Sequence, residues 1–410
     1  MKKICRLFIF YFVIQSVFTI STVPTQSQSQ PQQSIDPLTK IINTPLVADK
    51  YEVAIGTSLP LKGEAAIMAQ DILDGMLLYF NKMKQLQPPL KFFINLSALN
   101  DDSEIETSQI NIDKLKQQTS LFLSLFGTNS TKCATNSLNS NEILSMFPIE
   151  GTSATRNQKL KNQIFLRADH ESEINGLVKY LVETLNKKKI AIFYEESDWG
   201  KDALKSAIKI LEEYNIKPEA TASYQEKTVN ISNAVKNIYN TTPAAIICLA
   251  QTRPAYNFIC ETMNEGLHKT TFAGLSNLYW IQKTLKESRG ISVLLSSVVP
   301  NPFNSELAIV QEFRQDLKIH MPNKTISPFV LEGYLNASVF SAIIQATGFP
   351  LTLQNILKKI TDLKKFKLTT TIKADKDMTF KLDQETMCLS KNRVWVNAEV
   401  DKKWKMEKGD

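Results

Sequence analysis

The sequence predicts an α/β fold built from parallel sheets with helices on both faces. Three observations carry this. Apolar runs of strand length alternate with segments whose apolar residues recur every three or four positions. The alternation comes in two consecutive series, so two such domains are expected, within what 410 residues allow. After "GISVLLSSVVPNPFN" (290–304) the style changes to long helices and C-terminal strands.

The chain opens with Lys2, Lys3 and Arg6 ahead of "LFIFYFVIQSVFTI", a pattern of export-signal kind. Thr19 and Ser21 are small enough for cleavage after Ser21, giving a signal peptide over 1–21 and a periplasmic or secreted protein; an uncleaved membrane anchor is the alternative. "TVPTQSQSQPQQS" has nothing to bury, so 22–47 reads as a disordered Ser/Gln/Pro linker. No later stretch reaches the 18 or more apolar residues of a membrane span.

Order is expected from "KYEVAIGTSLPL", a strand ending in a loop. A helix over 65–86 puts Ala69, Ile72, Met76, Phe80 and Met83 on one face. "LKFFINLSA" is a strand, and "DDSEIETSQINIDKLKQQ" a helix whose acidic start suits its positive end. "SLFLSLFGTNSTKCATNS" (120–137) leaves a buried strand at Gly127 and passes into small hydroxyl and amide residues. These could be helix caps, or they could cradle an anionic group with the backbone N–H groups of a helix start. "EILSMFPIEGTSATRNQ" is a short strand broken at Pro148.

The second series starts with "NQIFLRAD" and a helix carrying Ile174, Leu177, Leu181 and Leu185 on one side. "KKIAIFYEESDWG" is a strand and loop, followed by a helix to about Tyr214. "KPEATASYQ" is a strand, "VNISNAVKNIYN" a helix, and "PAAIICLAQTRP" a strand leading to Pro254 at a helix start. "TTFAGLSNLYW" repeats the plan. Helices over 304–320 and 327–347 follow, and then "TFKL" and "NRVWVNAEV" as antiparallel strands.

Composition and motifs narrow the function. A net charge of +7, evenly spread, does not argue for nucleic acid. The five cysteines match no zinc or C-x-x-C spacing, and buried free thiols are the default reading for Cys133, Cys248, Cys260 and Cys388. Phosphate-loop, dinucleotide, nucleophile-elbow and zincin motifs are all missing. The histidines, His170, His268 and His320, are scattered. Neither an enzyme nor a metal or cofactor is called for.

In an open α/β sheet, ligands bind beyond the carboxyl ends of the strands. Those ends, in order, include "IGTSLPLKGEAAIMAQDILDGMLLYFN", "NDDSEIETSQINIDKL", "FGTNST", "PIEGTSATRN" and "AIFYEESDWGKDALKSAI", joined later by "VVPNPFNSELAIVQEFRQDL" and "LEGYLNASVFSAIIQATG". In that order they resemble the bilobal solute-binding proteins of branched-chain amino acid type, which serve ABC transporters. The resemblance covers roughly 50–400.

It implies two Rossmann-like lobes joined by hinge crossings near Ala168, Val299 and Val394, with a ligand cleft between them. Lobe one would comprise 48–168 plus 300–390, and lobe two 169–299 plus 391–410. It implies a monomer that closes on a small polar ligand (amino acid, amide or organic acid) and delivers it to a membrane ABC permease. A receptor module serving a separate signalling partner, or a secreted α/β enzyme, are the alternatives. By position, Ser130 and Thr131 would meet the ligand's carboxylate, and Gly151, Thr152, Ser153 and Ala154 would add backbone and hydroxyl contacts. Trp199 would cover the ligand from lobe two, beside Thr252 and Arg253. Two positions depart from the family: Met68, where many relatives carry an aromatic, and Ser276 beside Asn277, where amino-acid binders carry an acid for the ammonium. Without an opposite charge a buried ammonium is costly, so a ligand lacking one fits Ser276 as well, unless Glu195, Glu196 or Asp198 supplies the charge.

Overall fold

The computed structural model describes residues 36–46, 49–87, 89–156, 159–363, 365–372, 376–397 and 405–408. The expected signal peptide or anchor at 1–21, Cys5 and the polar linker up to residue 35 lie outside the described residues.

The first sheet contains β1 (Thr44–Pro45), β2 (Tyr51–Leu59), β3 (Phe92–Asn100), β4 (Leu121–Leu123), β5 (Leu144–Met146) and β6 (Gln163–Ile164). β3, β2, β4, β5 and β6 lie side by side and parallel, and β1 pairs antiparallel with the start of β2. The second sheet has β7 (Ile190–Glu195), β8 (Thr221–Tyr224), β9 (Ala245–Leu249), β10 (Thr271–Gly274) and β11 (Val293–Ser297), parallel in the order β8-β7-β9-β10-β11. β12 (Phe366–Lys367) and β13 (Thr379–Phe380) form a separate antiparallel ribbon. β14 (Val394–Asn397) and β15 (Lys405–Lys408) extend the second sheet antiparallel from β11. Central strands such as Leu121–Leu123 and Ala245–Leu249 are buried along their whole length, as strands covered on both faces must be.

Helices α1 (Ala66–Met83), α2 (Ile105–Lys116), α3 (Gly127–Cys133) and α4 (Thr135–Asn139) alternate with the first sheet's strands. α5 (His170–Lys179), α6 (Asp198–Glu213), α7 (Ser232–Tyr239), α8 (Thr252–Asn264) and α9 (Tyr279–Arg289) alternate with the second's. α10 (Ala308–His320), α11 (Pro328–Thr347) and α12 (Leu353–Asp362) return to the first lobe, where α11 packs on α1. The helix starts are capped as their sequences suggest. Asp169 accepts from the Ser172 N–H, Ser197 from Gly200, Ser327 from Val330 and Thr352 from Asn355.

The α1–α11 crossing brings backbone against backbone. A Cβ at Gly75 would overlap the Val330 carbonyl, and one at Gly333 the Ile72 carbonyl. By length and composition α11 could cross a membrane, a property not expected from the sequence; here it is a core helix, buried over most of its length.

Several element boundaries differ from expectation. Residues 36–46, expected in the linker, dock on the first lobe: Ile42 N–H donates to Leu351 O at 3.0 Å, and Asn43 Oδ1 accepts from Leu351 N–H at 2.6 Å. The predicted helix from 304 begins only at Ala308, because Leu307 bridges Lys376 and the Ala308 N–H donates to the Lys376 carbonyl. Leu185 leaves the apolar face of its helix: the turn over Tyr180–Thr184 is a π-helix, and Leu185 is partly exposed. "TFKL" and "NRVWVNAEV" do hold antiparallel strands, as expected: Thr379–Phe380 pairs with β12, and Val394–Asn397 with β11.

Candidate functional site

In each sheet the chain reverses winding direction beside its first strand, between β2 and β4 and again between β7 and β9. Such switch points open crevices at the strand carboxyl ends. Here the two crevices face each other and form one cavity of about 890 Å³.

From lobe one, β4 runs into Gly127, whose φ of +79° favours glycine, and then into α3. The Thr128 hydroxyl donates to Glu150 Oε2 at 2.8 Å, tying the β4 and β5 loops together. Ser130 is 1% exposed and lines the cavity, and its buried Oγ has no hydrogen-bond partner among the described residues. Asp101, at the end of β3, accepts from the Ser58 hydroxyl at 2.7 Å and the Ser103 N–H at 3.0 Å.

From lobe two, Glu195 ends β7 and faces the cavity. Its Oε1 accepts from the Trp199 indole at 2.7 Å and its Oε2 from the Tyr224 hydroxyl at 2.5 Å. Burial and the Glu195 charge push the Tyr224 hydroxyl's pKa far up, so it stays a donor. Trp199 meets the His170 ring edge-on at 5.9 Å. The loop after β10 presents Ser276, whose N–H donates to Glu173 Oε2 at 3.0 Å, and Asn277, whose amide donates to the Ala250 carbonyl at 3.0 Å.

The cavity floor lies where the chain crosses between lobes. Arg167 donates to Ser276 Oγ at 2.9 Å and stands 3.5 Å from Glu173 of lobe two and 3.6 Å from Glu332 of α11 in lobe one. Burial pushes the Glu332 carboxyl up, against the pull of Arg167. Burial holds His170 below the usual histidine range, outweighing Glu150 and Glu173. His170 leaves room for no side chain at Gly151: a Cβ there would overlap its ring, and the His170 N–H donates to the Gly151 carbonyl at 2.9 Å.

Polar contacts also bridge the lobes around the rim. Lys132 pairs with Asp198 at 2.6 Å and Glu104 with Lys227 at 2.9 Å. The Ser153 N–H donates to Asp202 at 2.9 Å, and the Arg253 N–H to Glu64 at 2.6 Å.

Of the residues singled out from sequence, Met68, Ser130, Gly151, Trp199, Arg253, Ser276 and Asn277 line the cavity. Thr131, Thr152, Ser153, Ala154 and Thr252 do not. Thr131 is buried in the short α3. Thr152 turns to Thr128 at 3.2 Å, and Ser153 is exposed and engaged with Asp202. Ala154 is exposed in a 3₁₀ turn, and Thr252 begins α8 half-buried. Sequence reasoning missed Arg167, His170, Glu173 and Tyr224, and it left Glu195 as one option among three. Glu150 and Glu195 end or follow strands, so the strand-end rule could have found both. Glu173 and Tyr224 arrive through tertiary packing and carry no local signal. Among the described residues, no group of three His, Cys, Asp or Glu is placed to hold a metal ion.

A family model described as periplasmic binding protein matches residues 52–387. The sequence has no match among curated proteins. A possible leucine/isoleucine/valine-binding protein from Rhodopirellula baltica superposes with a TM-score of 0.77 at 20% identity, over 88% of this chain and 97% of that one. A substrate-binding periplasmic protein from Ralstonia solanacearum gives 0.73 at 22% identity, over 86% and 99%. A solute binding protein of an ABC transporter from R. palustris, in complex with 4-hydroxybenzoate, gives 0.71 at 15% identity, over 88% and 96%.

Proposed function

The chain belongs to the periplasmic binding protein family, a family of binders and not of enzymes, and from that premise we propose that it captures a small polar solute between its lobes and delivers it to an ABC permease. One observation carries the reading: the loops after β4, β5, β7 and β9 all open on one cavity. Its volume, about 890 Å³, lies in the range of small-molecule sites. Lobe one offers the unpartnered Ser130 hydroxyl, and lobe two the Trp199 ring. The solute bridges them, favours the closed arrangement by its differential affinity, and leaves the protein in the form a permease recognises. The similar structures carry leucine/isoleucine/valine-binding and 4-hydroxybenzoate labels, so amino acids, amides and organic acids are the first candidates. Capture in the periplasm by a single chain completes the reading.

Thermal denaturation with amino acids, amides, organic acids, sugars and cationic amines tests it, because a ligand selective for the folded state raises its stability. A rise in Tm with one solute class supports the proposal. A flat response to all of them contradicts it.

A further inference from the structure

The chain carries a net charge of +7, yet its cavity is lined by eleven Asp and Glu against five Lys and Arg. The inversion is local and does not follow from composition. At the rim the charges largely cancel: Glu104 pairs with Lys227, Asp198 with Lys132 and Glu196 with Lys201. Deeper in, Glu173 is offset by Arg167.

Three buried carboxylates are left over, the first being Asp101, 1% exposed, which accepts from the Ser58 hydroxyl and the Ser103 N–H. Glu195, 3% exposed, is held only by the neutral Trp199 indole and Tyr224 hydroxyl. Glu150, 4% exposed, accepts from the Thr128 hydroxyl and the Thr152 N–H. None of the three has an ion pair among the described residues. A buried carboxylate without a counter-charge is costly, and a cation brought in from solution relieves that cost. Trp199 and Tyr224 also line the cavity, and an aromatic ring attracts a cation that reaches its face. An independent sign of a ligand sits opposite, where Ser130, 1% exposed, lines the cavity and its buried Oγ is unpartnered among the described residues.

We propose that the solute is an organic cation, an amine, guanidine or quaternary ammonium compound of net positive charge, whose charged nitrogen is held at Glu195 between Trp199 and Tyr224. The proposal rests on the solute-capture reading above and narrows it. Ser276 thereby loses its force as an argument against a positive ligand, because the counter-charge comes from the end of β7 and not from the end of β10. Lys132, Lys201 and Lys227 at the rim are occupied by their own carboxylates, which offsets their repulsion of the incoming solute.

Isothermal titration of the whole protein with putrescine, agmatine and choline, and with 1,4-butanediol as the uncharged partner of putrescine, tests this. Benzoate, succinate and propionamide serve as anionic and neutral comparisons. The expected result is binding by at least one cation, about tenfold or more tighter than its uncharged or anionic comparison, as loss of a charge-assisted contact implies. Raising the salt from about 50 to about 500 mM weakens it. In Glu195→Gln the advantage of the cation falls about tenfold while the melting temperature without solute is kept; if that variant unfolds, the putrescine–butanediol comparison on the unaltered protein decides alone. Binding of benzoate, succinate or propionamide in preference to every cation overturns the charge assignment and leaves solute capture standing. No binding by any compound, here and in the thermal screen, overturns both.

Discussion

Trp199 donates its indole N–H to the Glu195 carboxylate at 2.7 Å, so the aromatic and the acid form one unit on the lobe-two wall of the cavity. The bond spans four residues, from the end of β7 to the first turn of α6. Close packing of that helix start makes it possible: a Cβ at Gly200 would overlap the Glu195 carbonyl. Both side chains line the cavity.

Trp199→Ala is therefore expected to weaken solute binding by about 1–3 kcal/mol, the size of an interface hot spot. Trp199→Phe keeps an aromatic face but frees Glu195, and should fall between. Calorimetry with the best solute of the thermal screen measures both. Unchanged affinity in Trp199→Ala removes this residue from the site.

The rim pairs hold the lobes together only weakly. Lys132–Asp198 and Glu104–Lys227 are exposed, and such pairs contribute about 0.2–1 kcal/mol each. Lys132→Ala should lower solute affinity two- to threefold at low salt, and by less at high salt where the pair is screened. A loss far beyond tenfold, or one indifferent to salt, would mean that Lys132 touches the solute itself.

Gly333→Ala should destabilise the protein by about 3 kcal/mol, the upper end for overpacking, because the new methyl group meets the Ile72 carbonyl of a packed helix. Urea unfolding provides the measurement. A loss below about 0.5 kcal/mol would show that α1 and α11 move apart at little cost.

His170 sets an acid-side slope. Its folded pKa is depressed by burial among Glu150, Glu173, Arg167 and Arg156, so below the ordinary histidine value of about 6.5 the unfolded chain binds a proton that the folded one refuses. Stability falls as the pH drops below that value. Glu332 works the other way, since its raised pKa favours the folded state at low pH. His170→Gln should flatten the decline in Tm between about pH 7 and 5. A decline as steep as before would place the titration elsewhere.

Much of the fold was legible because its signals are local. Strands such as Ala245–Leu249 are continuous apolar runs, and helix starts such as Ser197 and Ser327 carry their own caps. The family resemblance, laid over the strand ends, likewise led to Ser130, Trp199 and Ser276 on the cavity wall. What stayed hidden is long-range. Glu173 reaches Ser276 from 103 residues away, and Arg167 meets Glu332 of α11 only once α11 has packed into lobe one. Residues 36–46 lack an apolar run, yet their backbone and Asn43 find partners beside Leu351. Thr152 and Ser153 sit on the right loop, but a local turn and the reach to Asp202 direct them away from the cavity.

The central claim is that loops from both lobes meet one solute. Hydrogen exchange, with and without the best solute of the thermal screen, tests it most directly, because bound ligand suppresses local opening where it touches. Slowed exchange is predicted together at 126–130 and 149–151 in lobe one and at 195–199 and 251–254 in lobe two. Protection confined to a single lobe, or appearing away from these four loops, would contradict it.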